Sequence, residues 1–291
     1  MPTALAPSVT HRDKKGRKFI SIVGAAYDKA GLSEEEAQCV NDAPGLPDAI
    51  RCFIAEHRRP NQFADEEVPS HYGYFSGYST PKGITEQCMV LRQHFPGIPL
   101  RVDEDVEGLP LPEGAEGWFA IPRWERIAST YGEALQKVLE LIKQTRNGKF
   151  HNYREDQLGE PYLRQHERTA AYLKRLGEAQ RDHDILVVPA QFGLRHRGSS
   201  VRRGRVLFAI PEFGLGAFQS GCMLLTHPER LAHHDDLWMD CAGDEFAPDA
   251  GGDFCGAPCF YFGVGAVGFG TRHVGGANGV YGSASAFLPQ Q

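Results

Sequence analysis

The chain has 291 residues, 41% of them hydrophobic and 23% charged, with a formal net charge of -6 at pH 7. That length supplies the core of one large domain or two modest ones, in an ordinary globular composition. The negative balance excludes a protein that coats nucleic acid or an anionic membrane with its whole surface, although a local basic patch remains open. Seven cysteines, an odd number, lie scattered from Cys39 to Cys259, unlike the dense pairing of a small secreted scaffold. In MPTALAPSVTHRDKKGRK the apolar run is short and the basic residues follow it, which is not a signal-peptide pattern. No stretch approaches the roughly eighteen apolar residues of a membrane span. A soluble, cytoplasmic protein is expected.

Residues 1–14 are polar and aperiodic and read as a disordered N-terminus. A helical N-terminal region follows over 15–66. Its first helix carries Phe19, Ile22, Val23 and Ala26 at three- and four-residue spacing and stops near Gly31. Ser33 with Glu36 forms a capping-box pattern, and Asp48–His57 is a third helix with Ile50, Phe53 and Ile54 on one side. An α+β domain is read over 67–291. Within it the aromatic segment 71–83 leads into a helix over Ile84–Phe95. The acidic, proline-bearing loop 99–117 is read as a surface loop or a linker between domains. Thr130 with Glu133 starts another helix that Asn147-Gly148 ends. A further helix is expected from Pro161 to Gly177, with Leu163, Ala170, Leu173 and Leu176 inward. From Ile185 onward the pattern turns short and glycine-punctuated, as in 213–225, 259–270 and 279–288, and reads as mainly β with one or two short helices. The fold class is therefore α+β, with a helical N-terminal part followed by a mainly β C-terminal half.

The strongest chemical signal is ILVVPAQFGLRHRGSSVRRGRV (185–206). Arg195, Arg197, Arg202, Arg203 and Arg205 fall within eleven residues, with no carboxylate between Asp184 and Glu212. Clustered guanidiniums repel one another and call for an anionic partner. If Gly198-Ser199-Ser200 caps a helix starting at Val201, Ser199 and Ser200 would help hold the same anion, as suits a phosphate ligand. A nucleic-acid backbone is an alternative, with Phe192 and His196 offering stacking. The third reading pairs the arginines with the chain's own acids, for example those in 103–107 or 229–253.

The stretch 226–259 gathers His227, His233, His234, Asp235, Asp236, Asp240, Cys241, Asp244, Glu245, Cys255 and Cys259. These are donors for a divalent metal, with His227, His233, His234 and Asp240 as candidate ligands. The spacing matches neither a zinc knuckle nor a calcium loop. Asp244 and Glu245 follow an apparent strand at 237–241, where general bases often sit. Gly263–Gly268 matches GxGxxG. No helix pattern or later acid follows it, so a β-hairpin turn is expected and no dinucleotide. Ser220 lacks the preceding glycine of a nucleophile elbow. Tyr72, Tyr74, Tyr78, Trp118 and Trp124 read as core or as the lining of a cleft for a planar ligand.

The phrases YDKAGLSEEEAQ (27–38), WFAIPRW (118–124), QTRNGKFHNYR (144–154), VVPAQFGLRHRG with SVRR (187–203), MLLTHPERL (223–231) and DCAGDE (240–245) together resemble a family of uncharacterised bacterial proteins. The resemblance implies a bacterial, non-secreted protein and carries over no site residue. Three functions stay open from the residues. One is an anion-binding protein that uses the arginine segment on a nucleic-acid backbone or another phosphate. The second is a metal-dependent hydrolase or transferase built on 226–259, and the third a structural or interaction protein without a ligand.

Overall fold

The computed structural model describes residues 10–56, 62–99, 101–103 and 105–289. The chain divides into two compact units, 1–59 and 60–291. Of the expected disordered segment 1–14, residues 1–9 lie outside the described residues. Thr10–Asp13 form a turn, and helix α1 begins at Lys14.

The first unit holds α1 (Lys14–Ala30), α2 (Glu34–Asn41) and α3 (Leu46–Glu56). Gly31 ends α1 in the left-handed region at φ 63°, where a glycine carries no Cβ penalty. The Ser33–Glu36 capping box is complete: Glu36 N donates to Ser33 Oγ at 3.3 Å and Ser33 N to Glu36 Oε2 at 2.8 Å. Periodicity places these helices correctly, but the apolar stripe it implies is not buried. Ile20, Ile22 and Val23 on α1 and Phe53 and Ile54 on α3 are all exposed.

The second unit begins with a strap over 62–79 and then α4 (Ile84–His94), β1 (Gly117–Pro122), α5 (Tyr131–Thr145), β2 (Phe150–Asn152) and β3 (Leu163–Gln165). Next come α6 (Glu167–Ala179), β4 (Ile185–Gln191), α7 (Val201–Leu207), β5 (Glu212–Gly214) and α8 (Ala217–Thr226). Strands β6 (Trp238–Asp240), β7 (Asp244–Phe246), β8 (Gly256–Gly263), β9 (Ala266–His273), β10 (Tyr281–Ser283) and β11 (Ser285–Phe287) complete it. An antiparallel sheet runs β1-β4-β11-β5. A second, mixed sheet runs β10-β6-β8-β7-β3, with β9 pairing both β8 and β2. This is the mixed α+β class expected.

Three sequence expectations change. The helix from Pro161 starts at Glu167 instead, because Leu163–Gln165 pairs with Asp244–Phe246 as β3 on β7. Gly177 does not stop that helix. A β carbon there would come within 2.6 Å of Arg123 Nη1, so the glycine admits the guanidinium that caps the helix end. The loop 99–117 is not a linker between domains. It lies inside the second unit, where Arg101 O accepts from Asp184 N and Ile185 N and the Glu107 carboxylate from Ile84 N.

The C-terminal half holds the short helices α7 and α8 among its strands, as expected, but α8 falls on a segment read as strand-like. Residues 217–226 form α8, buried at every position. It packs on β1, α4 and α5, and at Gly221 a β carbon would lie 2.6 Å from Val138 Cγ1 of α5 and 3.5 Å from Phe260 Cζ of β8. A helix enclosed on all sides needs no polar face, so its sequence lacks a helical period. By contrast, the GxGxxG segment is the expected hairpin: β8 and β9 pair from Gly256↔His273 to Gly263↔Ala266 around Val264-Gly265.

Candidate functional site

Each arginine of the 195–205 segment meets a partner within the chain. Ser200 caps α7 by accepting from Arg203 N at 3.1 Å, the condition under which the sequence placed an anion here. The anion at that helix start is the Glu66 carboxylate. It accepts from Ser200 Oγ at 2.6 Å and Arg202 Nε at 2.9 Å, and is paired with Arg202 Nη2 as well. The Arg202 hydrogen bond, with help from Ser200, holds Glu66 below the usual carboxylate range against its burial. Arg203 Nε contacts Glu67 Oε1 at 2.5 Å, and its Nη1 donates to Gln62 O. The strap is pinned further by an isolated bridge between Glu67 and Ser199.

Arg195 Nε lies 3.3 Å from Glu212 Oε2, and His196 Nε2 lies 2.6 Å from Glu212 Oε1, which also accepts from Ser285 Oγ at 2.5 Å. Burial raises the Glu212 carboxyl, but the His196 contact and the Arg195 charge outweigh it and the net direction is down. Arg197 Nη1 donates to Tyr72 O at 3.1 Å from an exposed position. The carboxylates at 66, 67 and 212 are the acids that sequence reading missed, since none lies in the two acidic stretches it named.

The arginine segment does reach the acidic stretch. Arg205 Nε donates to Ala242 O at 2.9 Å and Nη2 to Asp244 O at 2.7 Å, while Nη1 is 3.9 Å from Glu245 Oε1. These are packed contacts, with the Arg205 side chain 15% exposed. The Asp244 carboxylate turns the other way. It accepts from Ala217 N at 2.7 Å and Tyr131 Oη at 2.8 Å, capping the N-terminus of α8 from another strand. Burial pushes Asp244 up to about 7. Glu245 lies on the other strand face and pairs with Arg164 at 2.8 Å.

Of the proposed metal ligands, His233 and His234 stand together at exposed positions, their rings 4.1 Å apart, whereas His227 and Asp240 lie elsewhere in the core. His227 is buried, with Nε2 accepting from Lys82 N at 2.9 Å and Nδ1 beside Thr226 Oγ1, and burial lowers it to about 4. Asp240 is buried on the second sheet, its Oδ1 without a hydrogen-bond partner, and burial pushes it up to about 7 despite the nearby Arg272 charge. Cys241, Cys255 and Cys259 are free thiols; burial raises Cys241, and raises Cys259 to about 12. Thus the acids, histidines and thiols of 226–259 do not form one reactive constellation.

A cleft forms elsewhere, from residues far apart in sequence. It has a volume of about 480 Å³ and lies between the segment after β1, helix α6 and strand β4. Ile121, Leu173, Leu176, Leu186 and Val188 supply apolar wall, with Trp124 beside them. Arg123 fixes one side by donating to the α6 carbonyls, Gly177 O and Gln180 O, both at 2.7 Å. Charged Glu125, Lys174, Glu178 and Arg181 also line it.

Two amide side chains enter this cleft, Gln165 from β3 and Gln219 from α8. Gln165 Nε2 is buried and has no hydrogen-bond partner. Gln219 Oε1 lies 3.4 Å from Tyr131 Oη, which leads to the Asp244 carboxylate. Trp124 meets Tyr131 edge to face at 6.1 Å. Of the aromatics named from sequence, Trp124 lines this cleft, whereas Tyr78 and Trp118 are core. No family model, curated protein or solved structure matches the chain.

Proposed function

We propose that the protein binds a small molecule in the cleft between α6 and β4, one with an apolar body and a hydrogen-bond-accepting head such as a carboxylate or carbonyl. The observation that carries this reading is the buried, unpartnered Gln165 Nε2 in the cleft wall. An unsatisfied buried donor costs about 1–3 kcal/mol, which an acceptor on a ligand would recover. The surrounding wall matches the pattern of small-molecule sites, mostly apolar with a few placed polar groups. Trp124 offers a planar face and Gln219 a second amide.

The arginine segment supports this assignment by what it does instead. Arg202 and Arg203 already pair with Glu66 and Glu67, so a phosphate there would compete with the chain's own carboxylates.

The test uses 8-anilinonaphthalene-1-sulfonate, which has an aromatic body and an acceptor head. Saturable binding is expected, abolished by Leu173→Trp, which fills the cleft, and weakened about tenfold, or about 1.4 kcal/mol, by Gln165→Leu. Both variants should keep the wild-type circular dichroism. Undiminished binding by Leu173→Trp would refute the cleft. Salt-dependent binding of labelled DNA or RNA, lost in Arg202→Ala/Arg203→Ala, would return the function to the arginine segment.

A further inference from the structure

We infer that His233, His234 and Asp235 form a surface site for a divalent transition metal ion, distinct from the cleft. Among the described residues this is the group whose ligating atoms all lie within 4.8 Å of one another. His234 Nε2 is 3.3 Å from Asp235 Oδ2, and His233 Nδ1 is 3.8 Å from the same oxygen. Two ligands each 2.0–2.1 Å from a tetrahedral zinc stand about 3.3 Å apart. The His234–Asp235 pair already has that separation, and the His233 Nδ1–Asp235 Oδ2 distance exceeds it by about 0.5 Å.

The donor set selects the ion. Two imidazoles and one carboxylate suit Zn²⁺, Cu²⁺ or Ni²⁺, whereas Ca²⁺ and Mg²⁺ favour oxygen-only shells. Three protein donors leave at least one coordination position for water or another ligand.

The loop that presents these donors is held from below. Buried Asp236 accepts from Ala232 N at 2.9 Å and His233 N at 2.8 Å on one side, and from Phe75 N and Ser76 N on the strap at 2.8 and 3.1 Å. The two imidazole rings lie 4.1 Å apart, both on the exposed side. His233 Nδ1 now accepts the Asp235 N–H at 3.2 Å; metal binding exchanges that contact for a coordinate bond. The structure therefore separates His233 and His234 from His227 and Asp240, with which the sequence had grouped them, and supplies Asp235 as the third donor.

The experiment titrates tag-free, chelator-treated full-length protein with ZnCl₂ against a chromophoric chelator. One equivalent should bind saturably. His233→Ala/His234→Ala should weaken that equivalent by at least about tenfold, the scale at which even supporting residues act on metal affinity. Asp235→Asn should weaken it too, while Asp249→Asn, in another exposed acidic turn, should not. These side chains are on the surface, so the variants should fold as the wild type does. Absence of saturable binding, or equal affinity in the double histidine variant, overturns the site. Equal affinity in Asp235→Asn overturns the three-donor assignment.

Discussion

Asp240 and Asp244 stand four positions apart and are both buried, yet they serve the fold differently. Asp244 closes the start of α8 through Ala217 N and Tyr131, whereas Asp240 leaves an oxygen unpaired. For Asp240 the folded-state value of about 7 lies above the ordinary 3.8. The folded protein therefore holds this proton more tightly than the unfolded chain does. Its contribution to stability is full below about pH 3.8 and is lost as the pH rises towards 7. His227, lowered to about 4, works in the opposite sense across much of that window, so the informative quantity is a difference. Asp240→Asn should gain stability relative to wild type as the pH rises from 4 to 7, measured by urea unfolding at each pH. A difference that stays constant with pH would show that Asp240 titrates normally.

At the scale of elements, local hydrogen-bonding patterns and distant packing separate cleanly. The β8–β9 hairpin turns through Val264 and Gly265 at φ 53° and 75°, the left-handed pair of a type I′ turn. Gly265 suits that geometry; Val264, β-branched and fully exposed at 105%, does not. Val264→Asn should therefore stabilise the protein by about 0.5–1 kcal/mol, seen as a higher Tm with unchanged structure. Helix α8 is the counter-example. Its ten residues carry no amphipathic period because α5, β1 and β8 enclose them, and Gly221 is small because Val138 stands against it. Only the neighbours reveal that this segment is a helix.

At the scale of the molecule, the decisive feature is where the second unit begins. Composition set the boundary at 66/67, but chain contacts set it at 59/60. Residues 62–70 belong with the second unit because Glu66 and Glu67 neutralise Arg202 and Arg203, 136 positions away in each case. Gly198, at φ 79°, lets Val68 pass close to the turn before α7, and Val68 N donates to Gly198 O at 2.9 Å. A chain of residues 60–291 should thus be more stable than one of 67–291 by at least about 2 kcal/mol, since the shorter one loses charge-assisted bonds from Arg202 and Ser200 to Glu66. Denaturant midpoints of the two chains check this, and equal midpoints would show that the strap adds nothing.

What the sequence alone determined is what a few neighbouring residues determine. The capping boxes at Ser33 and Thr130, the stops at Gly31 and Asn147-Gly148, the cap at Ser200 and the hairpin at 264–265 all rest on bonds or dihedrals spanning about four positions. They were legible for that reason. Tertiary structure alone decided which carboxylates answer the arginines, that 217–226 is helical, and that 121–125, Gln165, α6, β4 and Gln219 enclose a cleft. Charge and hydrophobicity do not name their partners along the chain, because both act through space, and only folding brings Glu66 to Arg202 or Gln165 into the cleft that Trp124 lines.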